Sequence, residues 1–181
     1  TIETLAGKIT TEVVGNDSVT VNMGVPVLDA DKIPVADTGR VSMKSLVVDN
    51  KEFAITCVSM GNPHAVIYTD DLTDDLVLGY GPKIEKNSYF PKKTNVEFIK
   101  VLSNNEIQMR VWERGCGETQ ACGTGACASV ASGIINALHD KSVTVHLPGG
   151  DLAISWAGEL TDPVMMTGPA EVVFEGRVRL D

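Results

Sequence analysis

At 181 residues the chain can bury a core, and at roughly 100 to 200 residues per domain it holds one domain with part of a second. Apolar residues make up 43% and aromatics only 5%, so the core must rest on Val, Ile, Leu and Ala. A net charge of -9 with no basic block excludes the electrostatic footprint of a nucleic-acid or anionic-membrane binder, and no apolar run approaches the ~20 residues of a bilayer span.

The opening TIETLAGKIT has neither the basic start nor the apolar stretch of a signal peptide, which points to the cytoplasm. It also lacks an initiating Met and is already strand-like, so the numbering is expected to begin inside a longer chain. Strands are expected at Ile2 to Leu5, Ile9 to Val14 and Val19 to Val21, separated by Ala-Gly-Lys and Gly-Asn-Asp turns. A Pro- and Asp-bearing loop from Gly24 to Gly39 is expected as a crossover between domains. Strands follow at Ser45 to Val48, Phe53 to Ser59 and Ala65 to Tyr68. Asp70, Asp71 and Thr73 can cap a helical stretch over Leu76 to Lys86, which Gly79, Gly81 and Pro82 break in two.

Further strands fit Asn95 to Leu102 and Glu106 to Val111. The segment GTGACASVASGIINAL, Gly123 to Leu138, carries no charge and mostly small residues, which predicts a slim helix buried on nearly every face. Strands resume at Val143 to Leu147, Leu152 to Trp156, Val164 to Thr167 and Val172 to Arg179. The fold class is therefore α+β: strands curled into a barrel around one central buried helix.

None of Cys57, Cys116, Cys122 and Cys127 sits in a Cys-x-x-Cys pair, so reduced thiols are expected and no metal site. Cys122 falls at the start of the buried helix, where unpaired amides and the helix dipole favour an anion and lower a thiol's pKa. Gly123 and Thr124 leave the first amides of that helix open to a substrate carboxylate. Two readings of Cys122 stand level on this segment: a reactive thiolate, or a small buried hydrophobe beside a Gly-Thr-Gly that permits close packing. In MGNPHAV, Asn62 and His64 sit at a turn before a strand, and in TNVEF Asn95 sits at a strand edge; taken singly, these are loop and turn residues. Cys127, five residues after Cys122, points away from it on a helix, and Cys57 reads as strand core.

MGNPHAV, TNVEF, WERGCGETQACGTGA and VMMTGPAEVVFEG occur in the order and at about the spacing of diaminopimelate epimerases, which the chain resembles over most of its length. The resemblance implies two similar domains, each with strands curled around a central helix, and a cleft between them that takes diaminopimelate without a cofactor. By the same resemblance Cys122, Glu113 and His64 are the catalytic group, with Cys122 as acid/base. Asn62, Asn95 and Arg114 hold the distal end of the substrate, and Gly123 and Thr124 donate amides to the reacting carboxylate. The family's first cysteine lies in a Cys-Gly-Asn-Gly type segment that does not occur here. The expected division is residues 1–22 as a remnant of the N-terminal domain, 23–167 as the C-terminal epimerase domain, and 168–181 as a strand returning to the first.

The expected activity of the parent protein is conversion of LL- to meso-diaminopimelate, with this stretch by itself inactive and its half-cleft covered in a homodimer. The alternatives are a proline-racemase-like or phenazine-pathway-like isomerase of the same superfold, a non-catalytic diaminopimelate-binding protein, and a cysteine hydrolase using Cys122 and His64.

Overall fold

The computed structural model describes residues 1–4, 7–15 and 17–179. The chain opens with a hairpin, β1 (Ile2–Thr4) against β2 (Gly7–Ile9), and then β3 (Thr11–Val14) and β4 (Ser18–Asn22). The expected single strand over Ile9 to Val14 is thus two, and the turns expected at Ala6 and Asn16 lie outside the described residues. Next come β5 (Lys44–Val48), β6 (Lys51–Ser59) and β7 (Pro63–Tyr68). A π-helical turn (Asp75–Tyr80) and the short helix α1 (Gly81–Glu85) lead to β8 (Asn95–Ser103), β9 (Glu106–Glu113) and β10 (Gly117–Thr119). Helix α2 (Gly123–Ile135) is followed by β11 (Ser142–Leu147), β12 (Gly150–Ser155) and β13 (Met165–Pro169).

All strands from β3 onward belong to one 11-stranded sheet, ordered β3-β4-β13-β12-β11-β9-β8-β7-β6-β5, with β10 added beside β9. The pairs β7/β8 and β9/β11 are parallel and the others antiparallel. The sheet curls so that α2 packs against β6, β7, β8, β12 and β13, which is the helix-in-a-curled-sheet arrangement the sequence predicts.

Side chains in a strand alternate between faces, and here both faces of β6 to β8 are covered. Val58, Val66, Ile99, Met109 and Val145 pack inward around Ala126, Val130 and Ala131 of α2. Ile55, Cys57, Ala65, Ile67, Val96 and Phe98 face outward into a second core closed by Leu76, Val77 and Ile84. Burial on two sides is why these strands read as near-continuous apolar runs. Phe98 is fully buried in the outer core, and Phe98→Ala is expected to cost about 3–5 kcal/mol in urea unfolding.

Two expectations are corrected, and one gains detail. The segment 24–43, which contains the Gly24 to Gly39 loop, is packed and not open: it bridges β6 through Val27 and Ser59 and buries Leu28, Ala30, Ile33, Val35 and Val41 in the two cores. Asp70 and Asp71 do not cap the helical stretch; Thr73 does, its Oγ1 accepting from Leu76 N at 3.2 Å. Residues 170–179 form no strand, and Val172, Val173, Phe174 and Val178 are more than 80% exposed, because their apolar alternation meets no sheet edge among the described residues.

Helix α2 ends at Ile135, three residues before Leu138. Ala137 takes a left-handed φ of 53°, and the N–H groups of Ala137 and Leu138 donate to Ile134 O (3.2 Å) and Gly133 O (2.9 Å). This is the two-bond helix stop normally built on Gly. With Ala in that place the stop is hidden in the sequence.

Candidate active site

The end of β9, the Gly115–Gly117 turn and β10 form a tight hairpin that returns the chain to the N-terminus of α2. Gly115 and Gly117 both adopt left-handed φ values, 80° and 89°, which other residues would enter only under strain. Buried Glu85 pins this turn from α1, accepting from Gly115 N at 3.0 Å and from Trp112 Nε1 at 2.9 Å. The hairpin is thereby fixed where it delivers Cys122.

Cys122 is the N-cap of α2. Its Sγ accepts from Gly125 N at 3.4 Å and lies 3.5 Å from Thr124 Oγ1. The first amides of the helix, on Gly123 and Thr124, have no intrahelical acceptor and point out of its open end. Thr124 Oγ1 accepts from Asn62 Nδ2 at 3.2 Å, Asn62 Oδ1 accepts from His64 Nε2 at 3.0 Å, and His64 Nδ1 meets Glu97 Oε1 at 2.6 Å. A single hydrogen-bonded line thus runs from the thiol to a carboxyl in the interior. His64 and Glu97 are both fully buried, on the inward faces of β7 and β8.

The expectation of a lowered Cys122 pKa is corrected. Only 7% of the residue is exposed, and burial first, then the negative charge of Glu97, push the thiol from its ordinary 9.0 up to about 11. The hydrogen bonds from Thr124 and Gly125 work in the opposite direction and do not win. In this state Cys122 is a proton-bearing thiol. Because the folded chain holds that proton more tightly than the unfolded chain, the stabilisation is complete below pH 9.0 and is lost as pH rises through about 11. Alkylation of Cys122 by iodoacetamide is expected to reach half its maximal rate near pH 11, and stability is expected to fall by about 1.4 kcal/mol per unit across that window on account of this group. Peptide mass spectrometry and urea titrations read the two effects.

Glu113 ends β9 half-buried, its Oε1 accepting from Thr119 Oγ1 at 2.5 Å, and its charge is also felt at Cys122. Asn95 and Arg114 form a second unit. Asn95 Nδ2 donates to Pro63 O at 2.9 Å and its Oδ1 accepts from Arg114 N at 2.8 Å, so this side chain spends its bonds on holding two backbone turns together. The Arg114 guanidinium is exposed, reaches Lys92 O at 3.4 Å and carries no ion pair among the described residues. Cys57 lies in the outer core, Cys127 in the inner core with its thiol pushed up to about 12 by burial, and Cys116 on the exposed turn.

The structure therefore gathers Asn62, His64, Thr124 and Cys122 into one connected group, with Gly123 beside it and Glu113 within electrostatic reach. A cysteine-hydrolase pairing of His64 with Cys122 does not fit, since both ring nitrogens are engaged by Glu97 and Asn62. Two contributors escape the sequence reading, Glu97 and Thr119. Glu97 stands in the TNVEF motif, and a carboxyl amid an apolar two-sided strand was the signal for it. Among the described residues no group of three or more His, Cys, Asp or Glu is placed to hold a metal ion, and no helix is long and apolar enough to cross a membrane.

A sequence profile described as diaminopimelate epimerase matches residues 56–173, which hold every one of these side chains. The chain belongs to the diaminopimelate epimerase family. The diaminopimelate epimerase of Teredinibacter turnerae is 50% identical over 179 residues, covering 99% of this chain and 64% of the relative. That of Halothermothrix orenii is 52% identical over 184 residues, with 98% and 64% covered. This chain thus spans a little under two thirds of these epimerases. Among solved structures, a probable proline racemase from Agrobacterium radiobacter superposes with a TM-score of 0.69 at 14% identity, covering 99% of this chain and 59% of that one. A hydroxyproline epimerase from Agrobacterium vitis does so at 0.64 and 16%, with 92% and 55% covered. At such identities the likeness is one of fold alone.

Proposed function

We propose that this chain supplies the Cys122 side of a cofactor-independent epimerase that converts LL- to meso-diaminopimelate in the cytoplasm, for lysine and peptidoglycan precursor synthesis. One observation carries the reading: a buried thiol caps a helix whose first two amides are open, and a buried hydrogen-bonded line backs it. Inverting an α-carbon takes one proton off one face and returns another to the opposite face. Cys122 S–H is the donor in one direction. The thiolate left behind accepts from Gly125 N and Thr124 Oγ1 and sits at the positive end of the α2 dipole. In the reverse direction the same thiolate takes the proton. The amides of Gly123 and Thr124 face the reacting carboxylate, whose developing charge they stabilise by a factor of about 10² to 10³ per donor. Arg114, with no carboxylate partner among the described residues, takes the distal carboxylate in a two-pronged contact, with Asn62 and Asn95 shaping that end. Glu113 and His64 assist the thiol.

The opposing acid/base is assigned to length outside these 181 residues, for within the described residues the other thiols lie in the cores or on the outer turn. Residues 1–22 and 168–181 are assigned to a neighbouring, similar domain. The exposed Val172, Val173, Phe174 and Val178 support this, as side chains suited to a sheet they do not meet here. A homodimer would cover what remains open of the cleft.

The test is chiral chromatography of LL-diaminopimelate after incubation with this chain, alone and mixed with the first third of the Halothermothrix orenii relative. Conversion only in the mixture is expected. Turnover by the 181 residues alone would contradict the assignment of the second acid/base, and racemisation of proline in place of diaminopimelate would contradict the substrate.

A further inference from the structure

Glu97 is fully buried, and its Oε2 has no hydrogen-bond partner among the described residues. A buried carboxyl with one oxygen unmatched is costly, so its place between Val96 and Phe98 in β8 calls for a physical reason. Gly125 supplies the geometry. A Cβ at that position would stand 2.8 Å from Glu97 Oε1 and 3.2 Å from Cys122 Sγ, so the carboxyl and the thiol face each other across the space a glycine leaves empty. The same Oε1 holds His64 Nδ1, whose other nitrogen reaches Thr124 and the thiol through Asn62. Glu97 thus acts on Cys122 by two routes, through space across Gly125 and through the hydrogen-bonded line.

We infer that Glu97 is a positioning residue for the reaction: set against Cys122 across Gly125 and tied to it through His64, Asn62 and Thr124, it governs when the thiol gives up its proton. This rests on the reading of Cys122 as the acid/base group and adds a residue to it. The titratable groups facing Cys122 are Glu97 from β8 and Glu113 from β9, with His64 of β7 two hydrogen bonds behind Thr124 and Cys127 one turn on in α2; both carboxyls oppose ionisation of the thiol. Removing the charge of Glu97 while keeping its shape therefore makes the proton easier to lose.

The experiment measures the rate of Cys122 alkylation by iodoacetamide against pH in the 181-residue chain, by peptide mass spectrometry, so that epimerase turnover plays no part in the readout. In Glu97→Gln the midpoint is expected to move down by about one pH unit, a rate gain of up to about tenfold on the rising limb. Glu97→Asp, which keeps the charge and draws it back from Gly125 by one methylene, is expected to lie between Gln and wild type. Cys127, whose thiol is raised by burial and not by Glu97, serves as the internal control. A purely structural Glu97 would speed Cys122 and Cys127 together through loosening of the fold, and that result, or an unmoved Cys122 midpoint in either folded variant, overturns the inference. Should neither variant fold, carboxyl ¹³C NMR of the wild-type chain decides, since the Glu97 signal must move at the pH where Cys122 ionises and a signal indifferent to that pH overturns it. Failure of the epimerase reading would show instead as absent turnover in the mixture with the first third of the relative, with the thiol titration of the 181-residue chain intact.

Discussion

Replacing Cys122 by Ala in the reconstituted enzyme is expected to lower conversion of LL- to meso-diaminopimelate by about 10²- to 10⁴-fold, the usual contribution of a positioned acid/base. The loss should fall on kcat with little change in KM. On the proposed reading the open amides of Gly123 and Thr124 and the exposed Arg114 guanidinium would still bind substrate, whereas the proton would no longer have a carrier on that face. Cys127→Ala, in the inner core of the same helix, serves as the contrast. It removes one buried sulfur and leaves the end of α2 unaltered, so its effect should appear in stability and not in turnover. Equal losses from the two substitutions would mean that the helix terminus is not the reacting end.

His64→Leu is expected to destabilise the chain by about 3–5 kcal/mol, because it leaves the buried Glu97 carboxyl without the partner of its Oε1. Glu97 would then keep a carboxyl in the interior with neither oxygen matched, since Oε2 has no partner among the described residues to begin with. Asn62 would lose the acceptor role that orients its amide toward Thr124. The double variant His64→Leu, Glu97→Leu should recover much of the loss, because the stranded charge is gone. Urea unfolding of the two variants measures this directly. A double variant as unstable as the single would show that the cost lies in packing around the imidazole, not in the orphaned carboxyl.

What the sequence makes legible follows from where its patterns are unambiguous. The strands β6 to β9 and the charge-free helix are evident because burial on two faces leaves long apolar runs, and the role of Cys122 as a helix cap is evident from the Gly-rich turn before it. The segment 24–43 is legible only in part, since its Pro and Asp residues mark irregular backbone but say nothing about the five apolar side chains it sends into the cores. The end of α2 is hidden because Ala137 does what Gly normally does. Residues 172–179 alternate like a strand, and alternation alone does not provide a neighbouring edge. The sign of the Cys122 shift is the most instructive case. A helix N-terminus favours the thiolate, and that contribution is local and readable; the burial and the Glu97 charge that outweigh it come from elements 25 or more positions away in the sequence and emerge only when β8 is laid beside α2. The motif TNVEF contains Glu97 in plain view, but its direction depends on the pairing of β8 with β7.

Cys122 is proposed to carry a proton to or from the α-carbon of diaminopimelate, and the most direct measurement is proton NMR of the substrate Cα–H in D₂O, using the reconstituted enzyme and its Cys122→Ala variant. LL-diaminopimelate is expected to lose its Cα–H signal as meso product appears with deuterium at the inverted centre, and the variant is expected to support neither inversion nor deuterium entry on the Cys122 face. Inversion with full deuterium incorporation in the absence of Cys122 would contradict it.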